Sequence, residues 1–223
     1  MHDAWGIRMN NKPKLLLSDL DGVYVDWAKG FVRYMASIGH IAPHSNPTVF
    51  SMVDIFPQLE KPWIHIKDYQ QSEFYSQIAP YAGAREAYQD MADAGIKIIA
   101  VSSCGLEAET VRMRTEFIEA EGFFSDMILL DLGASKQGVL ETFTDAAFID
   151  DQPHVAYEGL EAGHIALLKT MPYNLTANVQ DMIRIDAFDE LKKVMDIEPA
   201  PSIVNSSILN IQRNAYEMRG FRR

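Results

Sequence analysis

Five short apolar runs, each bordered by polar residues and separated by helix-patterned segments, set the fold open to this chain. They are KLLLSDL (14–20), IKIIAVS (96–102), DMILLD (126–131), AAFIDD (146–151) and HIALLK (164–169). Their apolar residues are continuous rather than alternating, as in strands covered on both faces. Between them lie GAREAYQDMADAG (83–95), LEAETVRMRTEFIEAEG (106–122), KQGVLETFT (136–144) and HVAYEGLEAG (154–163). Three of these four close on glycine, which adopts the left-handed conformation that commonly ends a helix. The alternation predicts an α/β protein built on a doubly wound parallel sheet.

One interval breaks the pattern. From Asp26 to Tyr81 there is too much chain for a simple βα connection. Within it WAKGFVRYMASIG and PWIHIKDYQQSEFYSQI read as helical, on either side of the proline-broken loop IAPHSNP. The expected organisation is a core of residues 1–25 and 82–200 and a small, mainly helical cap at 26–81. The cap is inserted after the first strand, beside the C-terminal edge of the sheet. AFDELKKVMD (187–196) is expected to form a further helix. The C-terminal tail spans 201–223, and its residues 205–223 carry four arginines against one glutamate. That composition suits a basic amphipathic helix serving packing or self-association, with a homodimer among the expected states.

Composition narrows the function. At 223 residues and 48% hydrophobic, the chain suits one sizeable domain with an insertion. Twenty basic against thirty-one acidic residues leave a net charge of −11. Such a surface disfavours nucleic acid polymers and anionic membranes as partners. A small phosphorylated substrate stays compatible, because a bound cation can reverse the field locally. The single cysteine, Cys104, allows no intramolecular disulfide and fits a reducing compartment. No apolar run approaches the roughly 20 residues of a membrane span, and the N-terminus lacks the apolar stretch of a secretory signal. A soluble cytoplasmic protein is expected.

The strand ends carry the chemistry. The first run ends in Asp19 and Asp21, followed by Gly22. A calcium loop would need an oxygen ligand at Val23 and glycine at Tyr24, so that reading fails. A hairpin turn would also explain Asp-Gly. The functional reading places both carboxylates in the crevice where open α/β sheets bind ligands. The second run ends in Ser102 and Ser103, the fourth in Asp150 and Asp151, and Lys136 stands between them at a helix start. Alone, a serine pair is more often a turn and a lysine more often a solvated charge. Their order at successive strand ends is the stronger signal. His40 and His44, separated by Pro43, read as loop residues. Cys104 is a poor candidate nucleophile beside Asp19.

Together, LLLSDLDGV, IIAVSS, SKQG and AFIDD resemble the four signature motifs of the haloacid dehalogenase (HAD) superfamily of phosphotransferases, over about residues 14–170. Within it, DLDGVYVDW and SEFYSQIAPYAGAREAYQDMADAG are similar to the 5′(3′)-deoxyribonucleotidases. The resemblance implies a HAD/Rossmann-like core and a Mg²⁺-dependent phosphomonoesterase acting on (deoxy)ribonucleoside monophosphates. Asp19 is then the nucleophile that forms an aspartyl-phosphate, and Asp21 the general acid and base. Mg²⁺ is held by Asp19, the main-chain carbonyl of Asp21 and Asp151, with Asp150 at the edge or holding a coordinated water. Ser102 and Lys136, helped by Ser103, neutralise the phosphoryl oxygens. Trp27, Phe50 and Tyr69 are the aromatic candidates to stack on a base. Gln152 stands where the nucleotidases commonly carry arginine, which leaves the base preference open. The alternatives are a phosphatase for a sugar phosphate or another small metabolite, and a catalytically silent HAD-like interaction module. Retention of both Asp19 and Asp21 argues against the latter. A polynucleotide 3′-phosphatase is disfavoured by the negative charge.

Overall fold

The computed structural model describes residues 12–43, 49, 51–179 and 181–197. The expectations for His44, Phe50 and the 201–223 tail lie outside these residues. In chain order the elements are β1 (Leu15–Ser18), α1 (Trp27–Ser37), α2 (Met52–Ile55), α3 (Ile66–Gln70), α4 (Glu73–Ser76), α5 (Ala84–Asp93), β2 (Lys97–Ser102) and α6 (Ala108–Glu121). They continue with β3 (Asp126–Leu129), α7 (Gln137–Leu140), β4 (Ala146–Asp150), α8 (Pro153–Glu161), β5 (Ile165–Lys169), β6 (Ile183–Ile185) and α9 (Phe188–Val194). Two 3₁₀ turns, Pro62–His65 and Pro172–Asn174, complete the elements of the described residues.

The strands form one parallel six-stranded sheet in the order β3-β2-β1-β4-β5-β6. This is the doubly wound Rossmann order, with the reversal at β1 and β4. Side chains alternate strictly between the two faces, as a pleated strand requires. Leu16, Ile98, Ala100, Ala147 and Ile149 join the large core under α1, α5, α6 and α9. Leu17, Ile99, Val101, Ala146 and Phe148 join the smaller one under α7 and α8. Both faces are dry, which explains the continuous apolar runs. Gly159 lets α8 sit close on β4, because a Cβ there would lie 2.4 Å from Cδ1 of Phe148.

The segment between β1 and α5 is helical, but in short pieces. The expected helix over 62–78 divides into the 62–65 turn, α3 and α4, with Ser72 at the break. Asp26, the third carboxylate of the opening motif, caps α1 by accepting from the Lys29 amide at 3.1 Å. The segment leaves and rejoins the sheet at one place: the Asp26 amide donates to Ala79 O at 3.2 Å, and the Tyr81 amide to Tyr24 O at 2.9 Å. Its buried residues Phe31, Tyr34, Phe56, Tyr69 and Tyr75 belong to the same apolar cluster as the sheet residues Leu16 and Ile98. Two other differences from expectation are small. α7 ends at Leu140 rather than Thr144, and β6 adds an edge strand too short to leave a hydrophobic pattern. No helix among the described residues is long and apolar enough to cross a membrane.

Candidate active site

β1 and β4 are neighbours, and their ladder runs one residue past β1: the Asp19 amide donates to Ile149 O at 3.0 Å. That register brings Asp19 level with the end of β4, and so beside Asp150 and Asp151. One carboxylate oxygen from each of these three buried residues lies within 4.8 Å of the others. Lys136, at the start of α7, sets its ammonium between two of them, 2.8 Å from Asp19 Oδ1 and 2.8 Å from Asp150 Oδ2. Burial disfavours the ammonium, but Asp150 and Asp19 outweigh it and hold the Lys136 pKa above its usual value.

The paired acids are not equivalent. Asp150 has both oxygens engaged, one by Lys136 and the other by the Gln152 amide at 2.8 Å. Burial pushes its pKa up to about 6, with Lys136 opposing and Asp19 adding to the rise. In Asp151 the Tyr173 hydroxyl donates to Oδ2, while Oδ1 has no partner among the described residues. Burial first, then the charges of Asp150 and Asp19, lift the Asp151 pKa well above the carboxylate range. Asn174 Nδ2 donates to Asp151 O at 2.8 Å and fixes the loop after β4. Gly22 makes room for this carboxylate: it has φ +94°, and a Cβ there would meet the Asp151 carboxyl carbon at 2.6 Å.

Three buried carboxylates, one of which has a buried oxygen without a partner among the described residues, fit a hard divalent cation bound through oxygen, and Mg²⁺ is such a cation. The Asp21 side chain is not one of the three. It turns to Arg114 of α6, a buried residue that pairs with Asp21 Oδ1 through Nη2 and donates from Nε to the Tyr75 hydroxyl at 2.6 Å. The guanidinium also stacks over the Tyr75 ring at 4.0 Å. Burial raises the Asp21 pKa, Arg114 pulls it down and Asp19 adds to the rise. For Arg114, burial works against the charge and Asp21 restores it, so the guanidinium stays protonated.

The serine pair closes the site from β2. Ser102 is buried and its hydroxyl has no partner among the described residues. Ser103 donates to Ala134 O at 2.9 Å and ties β2 to the loop before Lys136. A cleft of about 500 Å³ opens above these groups. Asp19, Asp21, Ser102, Ser103, Lys136, Asp150, Asp151 and Gln152 all line it, so strand ends far apart in sequence converge. Trp27 lines it too, half-buried and stacked on Phe31 with ring centres 5.0 Å apart and planes 13° apart.

Tyr69 departs from expectation. It is fully buried, packs edge-on against Trp27 and Phe31, and donates to Trp27 O at 3.3 Å, so it underpins the cleft wall rather than facing a ligand. Sequence reasoning also passed over Arg114, Tyr75, Tyr173 and Gln70. For Arg114 a signal existed. It falls on the buried stripe Thr110-Met113-Arg114-Ile118 of α6, and a charge on an apolar stripe needs a buried partner. Tyr173 follows a proline in a short turn and carries no such mark.

No family model matches the sequence, and no curated protein matches it. The fold is recognisable among solved structures. A predicted phosphatase from Clostridium acetobutylicum superposes with a TM-score of 0.61 at 16% identity, over 83% of this chain and 100% of that one. A haloacid dehalogenase-like family hydrolase, SP0104 of Streptococcus pneumoniae, gives 0.58 at 14% identity, over 80% and 96%. The Bacillus subtilis protein YfnB, described as a HAD-hydrolase and solved bound to magnesium, gives 0.57 at 16% identity, over 84% and 100%. The chain therefore has the Rossmann-like α/β fold of the HAD hydrolases.

Proposed function

We propose that this protein is a Mg²⁺-dependent phosphomonoesterase that hydrolyses (deoxy)ribonucleoside monophosphates through a phosphorylated Asp19. The observation that carries the reading is the contact set around Asp19. Lys136 bridges it to Asp150 at 2.8 Å on each side, and the free oxygen of Asp151 stands in the same cluster. Such a group neutralises one carboxylate while leaving room for a phosphoryl group.

Asp19, Asp151 and the main-chain carbonyl of Asp21 are the groups that would hold the cation, with Asp150 beside them. When bound, Mg²⁺ supplies positive charge against the phosphoryl oxygens and keeps the like-charged carboxylates together. A carboxylate oxygen of Asp19 attacks phosphorus, and the bond from phosphorus to the ester oxygen breaks. Asp21 gives its proton to the departing alcohol; burial raises its pKa toward that role against the pull of its Arg114 partner. Asp21 then takes a proton from water as that water attacks phosphorus, and the bond between phosphorus and Asp19 breaks. Inorganic phosphate leaves and both aspartates return to their starting state. Ser102, with its unpartnered hydroxyl, and Lys136 stabilise the charge that spreads over the phosphoryl oxygens.

The nucleotide preference rests on the resemblance of the opening motif and on the apolar part of the cleft wall, which includes Trp27, Met52, Ile55 and Ile66. A panel of nucleotides, sugar phosphates and p-nitrophenyl phosphate, assayed with Mg²⁺ and with EDTA, tests the proposal. Metal-dependent turnover that favours nucleoside monophosphates is expected, and Asp19→Asn should be inactive. Preference for sugar phosphates would overturn the substrate class, and activity in Asp19→Asn would overturn the mechanism.

A further inference from the structure

Gln70, the last residue of α3, is 3% exposed and yet lines the cleft. Its carboxamide has no hydrogen-bond partner among the described residues, whereas its neighbours Tyr69 and Ser72 both have one. An amide on the cleft wall that spends neither its donors nor its acceptor on the protein keeps both for a ligand. Among the residues of the helical segment that line the cleft, Gln70 is also the only polar side chain; Trp27, Ala28, Val49, Met52, Ile55 and Ile66 are the rest.

Its position says what it can touch. α3 is tied to the loop after the serine pair by Lys67 and Glu107, 3.1 Å apart. Gln70 Oε1 lies 3.9 Å from the point that a Cβ on Gly105 would occupy. The amide therefore lies beside the loop that follows Ser102 and Ser103, and it lines the same cleft as they do. The group it would meet belongs to the alcohol half of a substrate whose phosphoryl group is held by Ser102 and Lys136.

Charge decides the chemistry of that group. Five carboxylates, of Asp19, Asp21, Asp150, Asp151 and Glu158, line the cleft. Lys136 is the only lysine or arginine lining it among the described residues, and it is already shared by Asp19 and Asp150. A second anionic group on the alcohol half would find no free cation. A primary amide both donates and accepts, which suits a neutral hydroxyl. We propose that Gln70 is the specificity-determining residue of this cleft, and that it binds the free sugar hydroxyl of a nucleoside 5′-monophosphate. This rests on the phosphatase reading above.

The test compares kcat/KM for a deoxyribonucleoside 5′-monophosphate with that for its analogue lacking the 3′-hydroxyl. It uses the full wild-type chain, Gln70→Leu and the closer isostere Gln70→Met. One neutral hydrogen bond is worth about 3- to 10-fold, so wild type should favour the hydroxylated substrate by about that factor. In either variant the ratio should fall to about 1, because hydroxyl and amide act as a pair and their losses do not add. A folding defect lowers both rates together and leaves the ratio alone, so an unchanged ratio in the variants overturns the proposal. A ratio of about 1 in wild type overturns it as well. Wild type that hydrolyses no phosphate monoester at all would instead bring down the phosphatase reading, and this inference with it.

Discussion

Arg114 and Asp21 form an ion pair in which the arginine is 2% exposed and the aspartate 19%. The pair joins the middle of α6 to the loop after β1, and the Tyr75 hydroxyl braces the guanidinium from α4. It fixes the direction of a carboxylate that has no partner of opposite charge nearer to hand.

Breaking one side of a buried pair leaves the other charge uncompensated, at a cost of about 3–5 kcal/mol. Arg114→Met should destabilise the fold by about that amount in urea unfolding. Asp21→Asn combined with Arg114→Met should recover part of the loss, since no lone buried charge remains. Strict additivity of the two single changes would show that the pair is not coupled.

The roles assigned to the two motif aspartates separate by leaving group. Asp19→Asn should show no turnover on any ester, with an unchanged far-UV spectrum. Asp21→Asn should lose about 10²- to 10⁴-fold on a nucleotide. It should lose much less on p-nitrophenyl phosphate, whose phenolate departs with little need of a proton. Equal losses on both esters would remove Asp21 from the acid role.

Metal should act on stability as well as on rate. Asp19, Asp150 and Asp151 repel one another when bare, so Mg²⁺ should raise the melting temperature of the wild type. Ligand at 100 times its Kd contributes about 2.7 kcal/mol. In Asp151→Asn the unpartnered Oδ1 is lost or becomes neutral, and the Mg²⁺-induced shift should shrink or vanish. Thermal melts with and without EDTA measure this directly, and an undiminished shift in the variant would place the cation elsewhere.

Trp27 faces the cleft with Phe31 stacked behind it. Stacking a base on an aromatic side chain is worth about 1–3 kcal/mol. Trp27→Ala should then raise KM for a nucleoside monophosphate by about 5- to 150-fold, and by clearly less for p-nitrophenyl phosphate. A parallel rise on both would assign the indole to packing alone.

Most of the sheet was legible, because strands buried on both faces must be continuously apolar and their polar terminators then stand out. Asp19, Ser102 and Asp151 stood out at strand ends and Lys136 at a helix start, and it was their order along the chain, not any one of them alone, that marked a candidate site. β6 could not be found, since Ile183–Ile185 is three residues long with Arg184 in the middle. Tyr69 was misread for a related reason. Aromatic residues at helical spacing mark an apolar face without saying whether it meets a cavity or a core, and here it meets the core. Gln70 stands one residue further on, and nothing in IKDYQQ distinguishes its amide from that of exposed Gln71.

The helical segment and the sheet share one apolar interior, in which Phe31, Tyr69 and Tyr75 lie in the same cluster as Leu16, Ile98 and Ile149. Parting the cleft wall from the sheet would wet those aromatic rings. Each full exposure of such a side chain costs about 1.5–3 kcal/mol. In the proposed enzyme, discrimination would inherit the packing quality of residues remote from the chemistry. Loosening the core at Phe31 or Tyr69 should blur the choice between substrates before it slows the reaction on any one of them.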